Sequence, residues 1–283
     1  MVLALLLAVG GLVVVAASGL RWAEAHRKDL LFAGHRASDR LRMQRLAGLA
    51  ARLRPAGLFG VSVVLGLAVI AAAAVAAGKL MEDVTAGDGV TVLDRPVASF
   101  VAAHRTGALT MAMRAASTAG GPVVLAAVTV AVGVVLGIAW HRWAPVLVAG
   151  VTVAGSGALT MTLKEAVGRF RPPLSGALAA TDGYAFPSAH AATAAAAFGV
   201  VACLCAGLLR SWPGRVAVWA GAAMLTALVG ISRVYLGVHW TTDILGGWAF
   251  GVLWLAVVIT ASAIVTRHGG SRESREAAHD AAS

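Results

Sequence analysis

Seven uncharged, strongly apolar runs divide this chain, and they constrain its fold more than any other feature. The hydrocarbon core of a bilayer needs about 20 consecutive apolar residues in a helix, and runs of this order leave little chain for a soluble domain. Only 13% of the residues are charged, about half the share usual in soluble domains. The sequence therefore predicts an all-α, polytopic membrane helix bundle. The runs are 1–20, 57–78, 115–140, 143–163, 191–209, 216–232 and 244–266.

The runs and the segments between them predict four parts. Residues 1–20 are interpreted as an extra N-terminal transmembrane helix rather than a signal peptide, because no basic residues precede the apolar run. Residues 21–56 form a basic cytoplasmic linker, either an amphipathic helix on anionic lipid or a solvated connection. Residues 57–266 form a six-helix, membrane-embedded core. The polar tail, residues 267–283, is expected to be disordered and cytoplasmic.

The net charge of +10 has two possible explanations. Nucleic-acid binding is one, but the basic residues cluster between the apolar runs, as the positive-inside rule requires of cytoplasmic loops. We therefore expect contact with membrane lipids and no nucleic-acid partner. With residues 21–56 in the cytoplasm, residues 164–190 and 232–243 face the outside of the plasma membrane. The outer segment 91–114 mixes apolar and charged residues, which indicates a helix along the surface or over a site.

Polar clusters interrupt the outer ends of the predicted helices. In "KEAVGRFRPP", Lys164 and Arg171 stand seven residues apart, which puts both cations near one face of a helix that Pro172 ends. In "FPSAHAATA", Ser188 is a favoured N-cap, and the free N–H groups of a helix start bind anions. His190 follows at once. These two clusters predict an anion site with a histidine beside it.

A third cluster, "SRVYLGVHWTTD", holds Arg233, His239 and Asp243. The histidine and the aspartate are four residues apart, hence neighbours on a helix. A carboxylate that holds one imidazole nitrogen leaves the other free to attack an electrophile. Each residue alone has an ordinary explanation, such as a snorkelling cation or a helix cap. Together they indicate a phosphate site, because polar groups at membrane depth are costly unless they have a function.

The three clusters resemble, in order and spacing, the signature of the type-2 phosphatidic acid phosphatase superfamily of membrane lipid phosphatases. The resemblance covers about residues 57–266. The family signature reads K-x6-R-P, P-S-G-H and S-R-x5-H-x3-D. This chain reads Lys164-x6-Arg171-Pro172, Pro187-Ser188-Ala189-His190 and Ser232-Arg233-x5-His239-x3-Asp243.

The resemblance implies a role for each matched residue. His239 would be the nucleophile that becomes phosphohistidine, Asp243 would orient it, and His190 would be the general acid. Ala189 replaces the family's usual glycine, which a helical backbone would tolerate. Arg169 stands outside the signature and is given a supporting role at most. The residues implied to bind the phosphoryl oxygens are Lys164, Arg171, Ser188, Ala189 and Arg233.

Residues and resemblance together predict metal-independent hydrolysis of a membrane lipid mono- or diphosphate. No metal or cofactor is expected, since no group of acidic residues is available to hold Mg²⁺. The substrates implied are phosphatidic acid, phosphatidylglycerol phosphate or a carrier such as undecaprenyl diphosphate. The alternative is a non-catalytic lipid-phosphate binder or transporter, which would not need the histidines and the aspartate. A vanadate-dependent haloperoxidase would share the pocket, but such enzymes are generally soluble. No oligomeric state is predicted.

Overall fold

A computed structural model describes residues 55–173, 177–179 and 181–280 of the chain, with side chains described only between residues 59 and 266 of these ranges. The predicted transmembrane helix 1–20 and all but the end of the predicted linker 21–56 lie outside the described residues.

The described part of the chain contains helices and no strands. A short 3-10 helix, Gly89–Leu93, joins the first two α-helices. The prediction of an all-α fold is confirmed. The α-helices are α1 (Pro55–Ala86), α2 (Asp94–Ala103), α3 (Gly107–Ala119), α4 (Pro122–Trp140), α5 (Ala144–Val167), α6 (Ala189–Ala206), α7 (Trp212–Tyr235) and α8 (Thr241–Asp280).

Six of these helices, α1 and α4 to α8, are long and apolar enough to cross a membrane. They correspond one by one to the predicted runs after residue 56. The run 115–140 differs from the prediction, because Gly120 and Gly121 divide it into the end of α3 and the whole of α4. Gly120 packs against Val229, where a side chain would collide. Hydropathy does not detect such a break, since both halves are apolar.

Helix α6 lies at the centre of the bundle and packs against α4, α5, α7 and α8. Its alanine-rich sequence permits close approach on every side, as small residues do between helices in lipid. Gly247 of α8 comes so close to the start of α6 that an added Cβ would stand 2.6 Å from the carbonyl oxygen of Ser188. This contact fixes the first turn of α6 beside the first turns of α8.

The six long helices alternate in direction, with longer connections after α1 and α5 than after the other helices. As a result, the ends of α1, α5 and α7 and the starts of α4, α6 and α8 meet at one end of the bundle, called the site end below. All three polar clusters lie there. Arg142, Arg210 and Arg215 lie in the α4–α5 and α6–α7 connections at the opposite end or beside them.

Two further segments, 91–114 and the C-terminal tail, differ in how well the sequence predicted their structure. The segment 91–114, which was predicted to lie on the outer face, forms parts of α2 and α3, short helices at the site end, as expected of a helix near the site. Helix α8 continues to Asp280, so the backbone of residues 267–280 is helical where the sequence predicted a disordered tail. Alanine, glutamate and arginine in this tail are good helix formers despite their polarity. The division of the chain into four parts stays a prediction.

Candidate active site

The first cluster is positioned by the end of α5. Gly168 adopts φ 63°, a left-handed conformation that favours glycine, and its N–H closes the helix on the carbonyl of Lys164 at 2.9 Å. The prediction that Lys164 and Arg171 share a helix face is therefore wrong, because the helix ends between them. The turn instead directs Arg169 and Arg171 back across the site. Lys164 Nζ donates to the carbonyl oxygen of Tyr184.

Arg171 joins two loops at the site end. Its Nη1 donates to the carbonyl oxygen of Val238 at 2.8 Å and lies 3.2 Å from His239 Nε2. Its Nε and Nη2 donate to the carbonyls of Gly183 and Asp182 at 2.9 and 3.0 Å. A guanidinium only donates hydrogen bonds. His239 Nε2 therefore faces Arg171 with its lone pair, and the ring proton belongs on Nδ1.

His239 is buried and held from its other side by Asp243. Nδ1 lies 3.2 Å from Asp243 Oδ2, which also accepts the Trp240 N–H at 2.8 Å. Burial lowers the pKa of His239 to about 4, although the hydrogen bond and charge of Asp243 act to raise it. The imidazole is thus neutral at pH 7, with an oriented, unprotonated Nε2. This is the state that a nitrogen nucleophile requires.

The second cluster begins α6 as the sequence predicted. Ser188 is the N-cap, and its Oγ accepts the Ala191 N–H at 3.4 Å. Its own N–H donates to the Asp243 carbonyl at 3.0 Å, which ties the start of α6 to the start of α8. Ala189 is the first residue of α6 and is absent from the positive-φ residues of the described chain. Alanine in place of glycine therefore costs no backbone strain here.

Arg233 and His190 face a cavity of about 430 Å³ at the site end. Arg233 is only 4% exposed, and its Nη1 donates to Ser117 Oγ at 2.6 Å. Its Nε is buried without a hydrogen-bond partner among the described residues. An unsatisfied cationic donor at a cavity indicates an anion site, since buried polar groups otherwise find partners.

The predicted residues converge on one place. Arg233 and His190 line the same cavity, and Arg171 Nη1 lies 3.2 Å from His239 Nε2. The His190 side chain makes no hydrogen bond to any residue that the structure describes, so its ring remains available to a ligand. The three cations, the start of α6 and the two histidines thus gather at the site end.

The sequence analysis missed one residue of the site and gave another too small a role. Arg169 donates from Nη1 to Asp243 Oδ1 at 2.6 Å and from Nη2 to Asp94 Oδ2 at 2.7 Å. Asp94, the first residue of α2, also accepts the Thr242 N–H at 3.0 Å. Asp94 received no role in the sequence analysis. A carboxylate within the predicted outer segment 91–114, which was expected to lie near the site, was the signal that could have indicated one. Arg169 and Asp94 support the aspartate that holds His239.

Comparisons with known proteins relate part of this chain to one superfamily. The sequence model of the PAP2 superfamily matches residues 145–267. Phosphatidylglycerophosphatase B of Bacillus subtilis (strain 168) is 39% identical over 99 residues, which are 34% of this chain and 47% of that protein. The alignment thus spans about half the length of this curated relative.

A solved structure resembles the fold over a longer range. The crystal structure of a transmembrane PAP2 type phosphatidylglycerolphosphate phosphatase from Bacillus subtilis matches with a TM-score of 0.60 and 28% sequence identity. The match covers 65% of this chain and 92% of that one. Together with its six long apolar helices, this likeness identifies the chain as a multi-pass membrane protein.

Proposed function

Because this chain belongs to the PAP2 superfamily, we propose that it is a lipid phosphatase that hydrolyses a membrane lipid mono- or diphosphate. The observation that carries the proposal is the setting of His239, which is buried, neutral and fixed between Asp243 and Arg171. A site that only bound phosphate would need the cations but not an oriented, unprotonated imidazole. The arrangement is typical of nucleophilic catalysis.

The proposed reaction has two steps. Arg171 transfers its hydrogen bond from His239 Nε2 to a phosphoryl oxygen, which frees the lone pair. His239 Nε2 attacks phosphorus in line, the bond to the lipid oxygen breaks, and His190 donates a proton to that oxygen. Water then attacks the phosphohistidine, His190 takes a proton from it, and inorganic phosphate leaves with His239 restored. Lys164, Arg171 and Arg233, with the Ser188 hydroxyl and the Ala189 N–H, stabilise the charge on the phosphoryl oxygens.

We propose that this reaction needs no metal ion. The charge that would bind the phosphate comes from arginine and lysine side chains. Among the residues that the structure describes, no three or more His, Cys, Asp or Glu side chains form a group that could hold one metal ion. Asp94 and Asp243 are both paired with Arg169 instead.

The proposed location of the reaction is the outer face of the plasma membrane. Arg142, Arg210 and Arg215 lie at or near the end of the bundle opposite the site. The positive-inside rule assigns such arginines to the cytoplasm. The proposed substrates are lipid phosphates of the outer leaflet, with phosphatidylglycerol phosphate as the first candidate because the matched Bacillus subtilis proteins are named for it.

Phosphate release from pure lipids tests the proposal. Protein purified in detergent with EDTA should release phosphate from at least one of phosphatidic acid, phosphatidylglycerol phosphate and undecaprenyl diphosphate. The variant His239→Ala should release none. His141→Asn is the matched control, since this exposed histidine lies at the opposite end of the bundle and asparagine tolerates its φ of 52°.

The two negative outcomes of this experiment have different meanings. Binding of the lipids without phosphate release by a folded wild-type protein would favour the binder or transporter. Release that requires added Mg²⁺ would contradict the metal-independent mechanism.

The low pKa of His239 predicts an acid limit to activity. Because this pKa is depressed to about 4, the nucleophile stays unprotonated above that value and is lost only as the pH falls through it. After correction for the ionisation of the substrate, followed by phosphorus NMR in the same micelles, kcat/KM should not fall between pH 7 and about 5. A fall of the corrected kcat/KM as the pH is lowered from 7 to 6 would contradict the assignment of the low pKa to the nucleophile.

A further inference from the structure

An arginine outside the family signature shares the cavity of the proposed site. Arg114 of α3 lines the cavity together with His190 and Arg233. Its side chain is exposed, and it has no hydrogen bond or ion pair with any residue in the described part of the chain. An unpaired cation at the edge of a phosphate cavity needs an explanation beyond folding.

The position of Arg114 is fixed by the contacts of α3. Arg114 precedes Ser117 by three residues, so the two side chains lie on one face, one helical turn or about 5 Å apart. Ser117 Oγ is the acceptor for Arg233 Nη1 at 2.6 Å. The start of α3 is held separately, because the Thr106 N–H and the Thr110 hydroxyl both lie 3.1 Å from the Tyr235 hydroxyl. Arg114 is thus held about one turn from Ser117, the hydrogen-bond partner of Arg233.

The size and polarity of the cavity exceed what one phosphate group requires. A volume of about 430 Å³ falls within the range of small-molecule sites. Thr118 and Thr181 also line it, and arginine is suited to bind phosphate through two parallel hydrogen bonds. The space beside His190, the proposed proton donor to the leaving group, therefore carries its own cation and hydroxyl donors.

We propose that Arg114 binds a second phosphate group, one that belongs to the leaving part of the lipid. The inference rests on the proposed phosphatase function and narrows its substrate class. The preferred substrates then carry two phosphates, either directly joined, as in a prenyl diphosphate, or separated by glycerol, as in phosphatidylglycerol phosphate. Phosphatidic acid, with one phosphate, cannot use Arg114 in this way.

The test compares Arg114→Gln with Arg95→Gln. Arg95 is an exposed arginine of α2 that does not line the cavity, so its loss removes the same surface charge. The readout is kcat/KM for each two-phosphate lipid divided by kcat/KM for phosphatidic acid, in mixed micelles. Arg114→Gln should lower this ratio about 10- to 100-fold, the scale of a lost charged hydrogen bond, and Arg114→Lys should lower it less. Arg95→Gln should leave it unchanged.

The outcomes separate the two sources of the second phosphate. A fall for the prenyl diphosphate alone assigns Arg114 to an adjoining phosphate, and a fall for phosphatidylglycerol phosphate alone assigns it to a glycerol-spaced one. An unchanged ratio, or an equal fall with Arg95→Gln, overturns the proposal.

A binding measurement keeps this inference separate from the proposed function. If the wild-type protein hydrolyses no lipid, the phosphatase proposal fails, but the second-phosphate site can still be tested with non-hydrolysable lipids. The wild type should bind a methylene-bridged diphosphonate lipid more tightly than the matching monophosphonate, and Arg114→Gln should lose this preference. Equal binding of both lipids by the wild type would overturn the inference.

Discussion

Replacing His239 with alanine is expected to reduce phosphate release about 10⁴-fold or more, the scale seen when an enzyme loses its nucleophile. No other described imidazole is held between a carboxylate and an arginine in the same way. The protein should still fold, because Asp243 keeps its ion pair with Arg169 and its hydrogen bond from the Trp240 N–H. Rapid-quench experiments with radiolabelled lipid phosphate should trap an acid-labile phosphoryl group on the wild type and none on the variant.

His141→Asn, at the far end of the bundle, should trap the same amount of phosphoenzyme as the wild type. Asp243→Asn should retain part of the activity, since the amide still accepts a hydrogen bond from His239 Nδ1 but no longer carries the charge. Full phosphoenzyme formation by the His239→Ala variant would assign the nucleophile to another residue, with His190 as the first alternative.

The local parts of this site could be predicted because their geometry follows from sequence spacing. Apolar length alone predicted the six long helices in the described part of the chain. The N-cap at Ser188 and the contact between His239 and Asp243 both arise within one helical turn of a helix start. Sequence spacing wrongly placed Lys164 and Arg171 on one helix face, because the left-handed backbone at Gly168 ends the helix between them.

The long-range pairs had no local pattern to reveal them. Asp94 and Arg169 are 75 residues apart, and Ser117 and Arg233 are 116 apart. Only the packing of α2 and α3 on the site end brings these side chains together, and the hydropathy of 91–114 indicated a nearby helix without giving its register. The residues that support the proposed catalytic groups were therefore harder to predict than those groups themselves.

Replacing Arg169 with methionine is expected to reduce kcat about 100-fold or more and to destabilise the protein. Arg169 separates two buried carboxylates, those of Asp94 and Asp243, and pairs with both. Removing one partner of a buried ion pair typically costs about 3–5 kcal/mol, because the remaining charge stays desolvated. Here two carboxylates would be left, and Asp243 would be free to turn away from His239 Nδ1. Thermal unfolding in detergent and kcat measured on the same samples check both effects.

A second substitution tests whether the uncompensated negative charge causes the losses of stability and kcat. Asp94→Asn in the Arg169→Met background removes one of the two uncompensated carboxylates, so the double variant should be more stable than Arg169→Met alone, with a coupling of about 0.5–3 kcal/mol. Its kcat should also recover in part if Asp243 again points at His239. Arg95→Met, on the exposed side of α2, is the control for loss of a nearby arginine. Strictly additive effects would mean that Asp94 and Arg169 act independently, and the proposed charge pairing between these two residues would then be wrong.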